Sequence, residues 1–231
     1  MRFLPSLPRR SFLARSGLAL AALAGSSVAL PFEATAMPDA SKTALEKLMA
    51  GNARFVADKA VCPPLTARRL ELAESQSPFA IVVSCSDSRV PVETVFDQIP
   101  GNIFGVREAG NVLGDFGIGS VEYSVAVLKS SLILVLGHTD CGAVKSAVKH
   151  VKSGTNYPGQ IQSIVNAIVP AVKQSKSAHG DWTENAIEQN VRDNVSKLSS
   201  RSSIVADAVR AGTLHIAGGI YHLASGKVTL L

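Results

Sequence analysis

The sequence predicts a single α/β domain: a mostly parallel central sheet of four strands, with an antiparallel edge strand and helices packed on its faces. Short apolar, β-branched runs alternate with segments of helical period, and no Pro/Ser/Gly linker long enough to separate domains interrupts them. Composition agrees. With 231 residues, 46% hydrophobic and 18% charged, the chain can bury a large core, whereas disordered chains combine low hydrophobicity with high net charge.

The first element is the amphipathic pattern Ala44-Leu45-Glu46-Lys47-Leu48-Met49, a helix expected to stop near Gly51-Asn52, and a second short helix follows Pro64 through Arg68 and Glu71. Pro78 opens residues 79–84 (FAIVVS), an apolar run that reads as a strand buried on both faces. Gly101-Asn102 precedes a second strand over 103–106, residues 119–129 have helical period, and 132–136 (LILVL) form the third strand. Helices over 143–153 and 161–173 follow. Pro170 argues for a break near the end of the latter, because proline removes a backbone donor and clashes with the preceding turn. Residues 183–197 read as a long helix capped by Thr183, and 202–211 as one ending at Gly212. Residues 214–221 are the fourth strand, which Ser225-Gly226 turns into an edge hairpin over 227–230.

The formal charge of +5 invites a nucleic-acid reading that does not survive inspection of where the charge lies. The first 36 residues hold Arg2, Arg9, Arg10 and Arg15 against Glu33, so the 23 basic and 18 acidic residues of the whole chain fall to 19 and 17 beyond them, a net +2. That balance gives no reason for nucleic acid or strong membrane attraction. Residues 17–30 are apolar but shorter than the roughly 20 residues of a spanning helix. A basic start, this apolar stretch and the small triplet Ala34-Thr35-Ala36 form the pattern of a secretory signal, with cleavage before Met37; an uncleaved membrane helix is the alternative. Arg9-Arg10-Ser11-Phe12-Leu13 resembles the twin-arginine export signal of bacteria, which implies a periplasmic or otherwise exported protein. The expected division is therefore 1–36 as leader and 37–231 as the domain, with no stable membrane insertion once the leader is removed.

Three cysteines, Cys62, Cys85 and Cys141, are too few for a disulfide scaffold. Cys85 and His138 each fall at or just beyond the carboxyl end of an apolar strand, where open α/β sheets place their ligand sites. His138-Thr139-Asp140-Cys141 sets an imidazole and a thiol three residues apart, a spacing that a turn entering a helix can converge on one ion. Two thiolates and an imidazole suit Zn2+ and leave a fourth position open; Cys62 reads as a small hydrophobe. In Cys85-Ser86-Asp87-Ser88-Arg89, Asp87 and Arg89 can pair bidentately, which would keep Asp87 ionised and able to orient a nucleophile or, if released, to approach the metal.

The segments CSDSRV from Cys85 and GHTDCGAV from Gly137 resemble those of the β-class carbonic anhydrases. Further similarity runs through Gly51-Asn52-Ala53-Arg54-Phe55, Val106-Arg107-Glu108-Ala109-Gly110-Asn111, Gly119-Ser120-Val121-Glu122-Tyr123 and Glu188-Gln189-Asn190-Val191. The resemblance implies one zinc per chain on Cys85, His138 and Cys141, with Asp87 and Arg89 as the dyad beside it. It implies the plant-like arrangement with an open metal position, the Gln76 amide and the Gly142 N–H as donors to substrate, and Phe104 and Tyr123 as the aromatic wall. It also implies a homodimer or a dimer of dimers. One departure stands out: the family usually has Asn where this chain has Glu108, which could pair with Arg107 or alter an interface.

The reaction so implied is the reversible hydration of carbon dioxide to bicarbonate and a proton, with His179, His215 and His222 as candidates for carrying the proton away. Two thiolates offset the cation's charge, so activity should rise on the alkaline side. Three other readings remain. A zinc-binding or bicarbonate-sensing protein on the same fold would need no turnover. A hydrolase with Cys85 or Cys141 as nucleophile and His138 as base would survive metal removal. Nucleotide binding by the glycine-rich residues 114–119 lacks the strand that should directly precede such a loop.

Overall fold

The computed structural model of the chain describes residues 37–61 and 65–231, so the expected leader over 1–36 and Cys62 lie outside the described residues. The elements are α1 (Asp39–Val56), α2 (Thr66–Glu74), β1 (Ala80–Ser84), α3 (Val92–Val95), β2 (Ile103–Arg107), α4 (Asp115–Ala126), β3 (Leu132–His138), α5 (Gly142–Ser153), α6 (Ile161–Gln174), α7 (Trp182–Arg201), α8 (Ser203–Arg210), β4 (His215–Tyr221) and β5 (Val228–Leu230), with 3-10 turns at Ala109–Asn111 and Ser175–Ser177. The sheet order is β2-β1-β3-β4-β5. The first four strands are parallel, and β5 returns antiparallel against the end of β4. This is the expected α/β architecture.

Every residue of β1 and β3 is buried, because helices cover both faces of the sheet. Alternate residues divide between two cores. Ala80, Val82, Leu132, Leu134 and Leu136 face Ala44 and Leu48 of α1, Val92 and Val95 of α3, and Phe96. Ile81, Val83, Ile133 and Val135 face Val121 of α4, Val144 of α5, Ile168 of α6 and Ile187 and Val191 of α7. Between β1 and β3 the chain changes direction across the sheet, since β2 lies on one side of β1 and β3 on the other. Open α/β sheets bind ligands outside the carboxyl ends of strands at such a switch point.

Four local expectations are corrected. Helix α1 does not stop at Gly51-Asn52 but continues to Val56. Gly51 is a point of close approach, where a Cβ would stand 1.8 Å from the Phe96 carbonyl oxygen. Asn52 is tied to tertiary partners: its Nδ2 donates to Val95 O at 3.1 Å and Gly226 O at 2.8 Å, and its Oδ1 accepts from Val228 N at 2.9 Å. Helix α6 runs through Pro170 to Gln174. Pro170 and Asn166, whose carbonyl loses its partner there, are both exposed, so the orphaned oxygen meets water. Helix α7 is capped by Asp181, not Thr183, because the Asp181 side chain accepts from Glu184 N at 2.9 Å. Helix α4 begins at Asp115, four residues early, so most of the glycine-rich 114–119 run is the first turn and a half of a helix.

Candidate metal centre

Cys85 follows β1 directly, His138 is the last residue of β3, and Cys141 immediately precedes α5. Because β1 and β3 are in register with Ser84 beside Leu136, the two strand ends deliver Cys85 and His138 to one crevice. The turn over Thr139 and Asp140, with Asp140 at φ 61°, brings Cys141 back beside them. The ligand atoms of Cys85, His138 and Cys141 all lie within 4.8 Å of one another, and all three residues are buried.

The imidazole fits a metal in one respect that geometry alone decides. His138 Nδ1 lies 2.9 Å from Thr139 O, so Nδ1 carries the proton and donates it to that carbonyl. Its Nε2 is then a lone pair aimed into the cluster, and it is buried with no hydrogen-bond partner. An orphaned acceptor facing two sulfurs is what a borderline-soft cation such as zinc would satisfy. The electrostatics agree. The hydrogen bond from Cys141 pulls the Cys85 thiol below its ordinary value, against burial and with help from His138 and the backbone N–H groups of Gly110 and Asp87. Cys141, facing that sulfur and buried, is pushed up. Burial disfavours charged His138, but the closeness and negative charge of the Cys85 sulfur outweigh it and raise the pKa. One negative charge is already stabilised among the three groups, and a dication would displace the remaining protons.

Asp87 stands at the edge of the cluster, its Oδ2 3.8 Å from His138 Nε2. Arg89 holds it with three hydrogen bonds: Nε to Oδ1 at 2.9 Å, Nη2 to Oδ2 at 2.8 Å and its own backbone N–H to Oδ1 at 3.0 Å. The Arg89 guanidinium holds the Asp87 carboxyl well below the usual carboxylate range. Arg89 also approaches Asp140 Oδ2 at 3.6 Å, and Asp140 is paired with Lys145 in turn. Arg107 does not pair with Glu108. Its Nη2 and Nε donate to the carbonyls of Asp87 at 2.9 Å and Cys85 at 3.3 Å, clamping the loop that carries both side chains.

The carbonic anhydrase family model matches residues 80–228, a span that runs from the start of β1 to the start of β5 and includes the whole cluster. The chain belongs to the carbonic anhydrase family. It is 41% identical to a carbonic anhydrase of Mycolicibacterium smegmatis over 196 residues, 84% of this chain and 95% of that one. Over the same shares it is 37% identical to carbonic anhydrase 2 of Mycobacterium tuberculosis. Among solved structures it is similar to a β-carbonic anhydrase of Aspergillus fumigatus, with TM-score 0.64 and 26% identity over 81% of this chain and 90% of that one. A Coccomyxa β-carbonic anhydrase matches with TM-score 0.61 and 25% identity over 83% of each chain.

This carbonic anhydrase chain does not bring every expected site residue to the metal centre. Gly142 opens α5 right after Cys141, and as the first helical residue it has a backbone N–H without an intrahelical partner. Gln76 and Tyr123 instead line a concavity of about 630 Å³ with Leu72, Gly101 and Leu128, at the amino end of β1. Cys85 is at the other end of that five-residue strand, roughly 16 Å away at 3.3 Å per residue. Phe104 is the second residue of β2, near the same amino end of the sheet, its ring 6.4 Å from that of Tyr123. Of the candidate proton carriers, His215 starts β4 and is remote from the centre, His179 is on an exposed loop, and His222 follows Tyr221, the register partner of His138. Burial pulls the His215 pKa down. The Glu108 carboxylate lies against Gly114 and Gly117 at the start of α4, a favourable place for an anion. Residue chemistry did not single out Arg107 and Gly110, whose contacts with the Cys85 loop run through backbone atoms; the signal available was an arginine and a glycine just past the second strand.

Proposed function

We propose that the chain catalyses the reversible hydration of carbon dioxide to bicarbonate and a proton at the Cys85, His138 and Cys141 centre, with zinc as its metal. The observation that carries this is the buried, partnerless Nε2 of His138 converging with two sulfurs beside an ionised Asp87. When bound, zinc supplies Lewis acidity that makes water a nucleophile near neutral pH. Asp87, ionised and able only to accept hydrogen bonds, orients that nucleophile through the oxygen nearer His138. Arg89 keeps the carboxylate turned away from the ligand position, which is the open arrangement. The Gly142 N–H, at the positive end of α5, donates to a substrate oxygen.

Gln76 and the Phe104 and Tyr123 wall complete the site from a second copy of the chain. The reason is distance: within one copy the Gln76 concavity and the metal centre occupy opposite ends of β1. A partner surface is available along α4 and its C-cap, where Phe116, Tyr123 and Val127 share one face and are 94%, 49% and 58% exposed. The functional unit is therefore a homodimer. Residues 1–36 act as a twin-arginine leader that is removed on export to the periplasm, which amino-terminal sequencing of the periplasmic fraction would check. Among the described residues no helix is long and apolar enough to cross a membrane.

The deciding experiment is stopped-flow carbon dioxide hydration near pH 8.5 by the chain from Met37 onward, before and after stripping with a chelator and after zinc is restored. Fast turnover that disappears and returns with zinc is expected. A folded, zinc-loaded protein without turnover would favour a binding or sensing role, and turnover that survives stripping would favour a cysteine nucleophile.

A further inference from the structure

The metal centre has a buried support that lies 49 residues from Cys141, the nearest ligand in sequence. Gly110 donates its backbone N–H to Cys85 Sγ at 3.2 Å, and its carbonyl accepts from Asn190 Nδ2 of α7 at 2.8 Å. Behind Asn190, one turn on, Asn194 Nδ2 donates to Asn190 O at 2.8 Å and to Asn190 Oδ1 at 3.2 Å. The second of these bonds fixes the sense of the Asn190 amide: its oxygen is occupied, so its NH2 faces Gly110. Both asparagines are buried, at 1% and 0% exposure. Asparagine is a poor residue for a helix interior and costly to bury unpaired, while the neighbouring α7 positions Ile187, Val191 and Leu198 supply apolar packing. What an apolar side chain at 190 could not supply is a donor for Gly110.

We propose that Asn190, backed by Asn194, is a positioning residue for the metal centre: it fixes Gly110 so that the Gly110 N–H is held on the sulfur of Cys85. Gly110 needs such a hold because it sits at φ 73°, where a Cβ would meet Ile168 Cδ1 at 2.7 Å and Ala143 Cβ at 3.0 Å, so the residue must be glycine, the least restrained of all. An N–H donated to a thiolate draws charge from the sulfur, so a ligand held in this way passes less of it to a metal. The Asp87 N–H, at 3.4 Å from the same sulfur, is the only other backbone donor to it among the described residues. Losing the Gly110 donor should therefore change both the electronic character of the ligand and its hold on the ion.

The inference rests on metal binding by the triad, and cobalt(II) tests both separately. The full-length protein is loaded with cobalt, its sulfur-to-cobalt charge-transfer band recorded, and metal release to a chelator timed for wild type, Asn190→Ala, Asn194→Ala and Trp182→Phe. The last removes a hydrogen bond from the start of α7, Nε1 to Val172 O at 2.9 Å, and serves as control for general loosening of the helix. Asn190→Ala should move the band to lower energy and weaken metal retention about 10- to 100-fold, the usual effect of losing an outer support. Asn194→Ala should do the same to a smaller degree, and Trp182→Phe should leave the band in place. A folded Asn190→Ala protein with the wild-type band and release rate overturns the proposal, as does an equal shift in Trp182→Phe. If Asn190→Ala does not fold, an unchanged band in Asn194→Ala overturns it. Absence of the band in wild type would overturn metal binding by the triad itself.

Discussion

Two carboxylates beside the metal centre and a histidine far from it are each set by what surrounds them. Asp87 is ionised because a guanidinium grips both of its oxygens, whereas exposed Asp140, also drawn down, answers chiefly to Lys145. If Asp87 orients the nucleophile as proposed, Asp87→Ala removes that acceptor without touching the triad, so turnover should fall about 10²-fold or more while zinc content stays at one per chain. Stopped-flow rates beside metal analysis would check it, and full turnover in that variant would remove Asp87 from the mechanism. His215 gives a pH prediction. Its pKa is lowered by burial, so the folded chain favours the neutral ring and the unfolded chain takes up a proton first as pH falls. Its contribution to stability is complete above about pH 6.5, the ordinary histidine value, and is lost as pH falls from there through the depressed folded value. His215→Asn should flatten the pH dependence of the urea midpoint in that window and leave it unchanged above it.

At the scale of the element, the chain's helices obey tertiary contacts where these conflict with local propensity. Gly51 illustrates the conflict, since alanine in a helix interior is ordinarily favoured over glycine by roughly 1 kcal/mol. Here the added methyl would meet a backbone oxygen that cannot move cheaply, so Gly51→Ala should destabilise the protein despite its better propensity, read as a lower urea midpoint. The start of α7 supplies a second contrast. Asp181→Ala deletes the observed cap and should cost about 1 kcal/mol, while Thr183→Ala should cost much less because Thr183 is already inside the helix. Equal losses in the two variants would refute the Asp181 cap. The strands needed no such tertiary correction: β1 and β3 are continuous apolar runs because both their faces are covered, and a covered strand has no polar face to show.

For the whole molecule, Gln76 lies at the far end of β1 from the metal centre, and the proposed homodimer is what would bring the two together. A charge placed on the exposed α4 face, as in Phe116→Asp, should shift the sedimentation of the protein toward the monomer and lower turnover while zinc remains bound. Complementation is a sharper check. If each site combines Gln76 from one copy with a triad from the other, hybrids of a Gln76→Ala chain with a Cys85→Ala chain should regain one wild-type site per dimer, above either parent. No gain on mixing would refute a site shared between two copies.

The sequence alone determined the α/β class, the order of the five strands along the chain, the Cys85, His138 and Cys141 cluster as the candidate ligand set, and the Asp87-Arg89 pair. These were legible because they are encoded locally: a covered strand is written in consecutive apolar residues, and ligands fall at the strand ends. Only the tertiary structure decided that α1 passes through Gly51-Asn52, that Arg107 clamps the Cys85 loop through its carbonyls, that Asn190 supports Gly110 from 80 residues away, and that Gln76 lies at the wrong end of β1 for its own metal centre. Those facts depend on which backbone atom meets which side chain once distant segments are packed, and a backbone carbonyl has the same chemistry at every residue. The pairing that uses it leaves no mark in the sequence until the fold brings the two together.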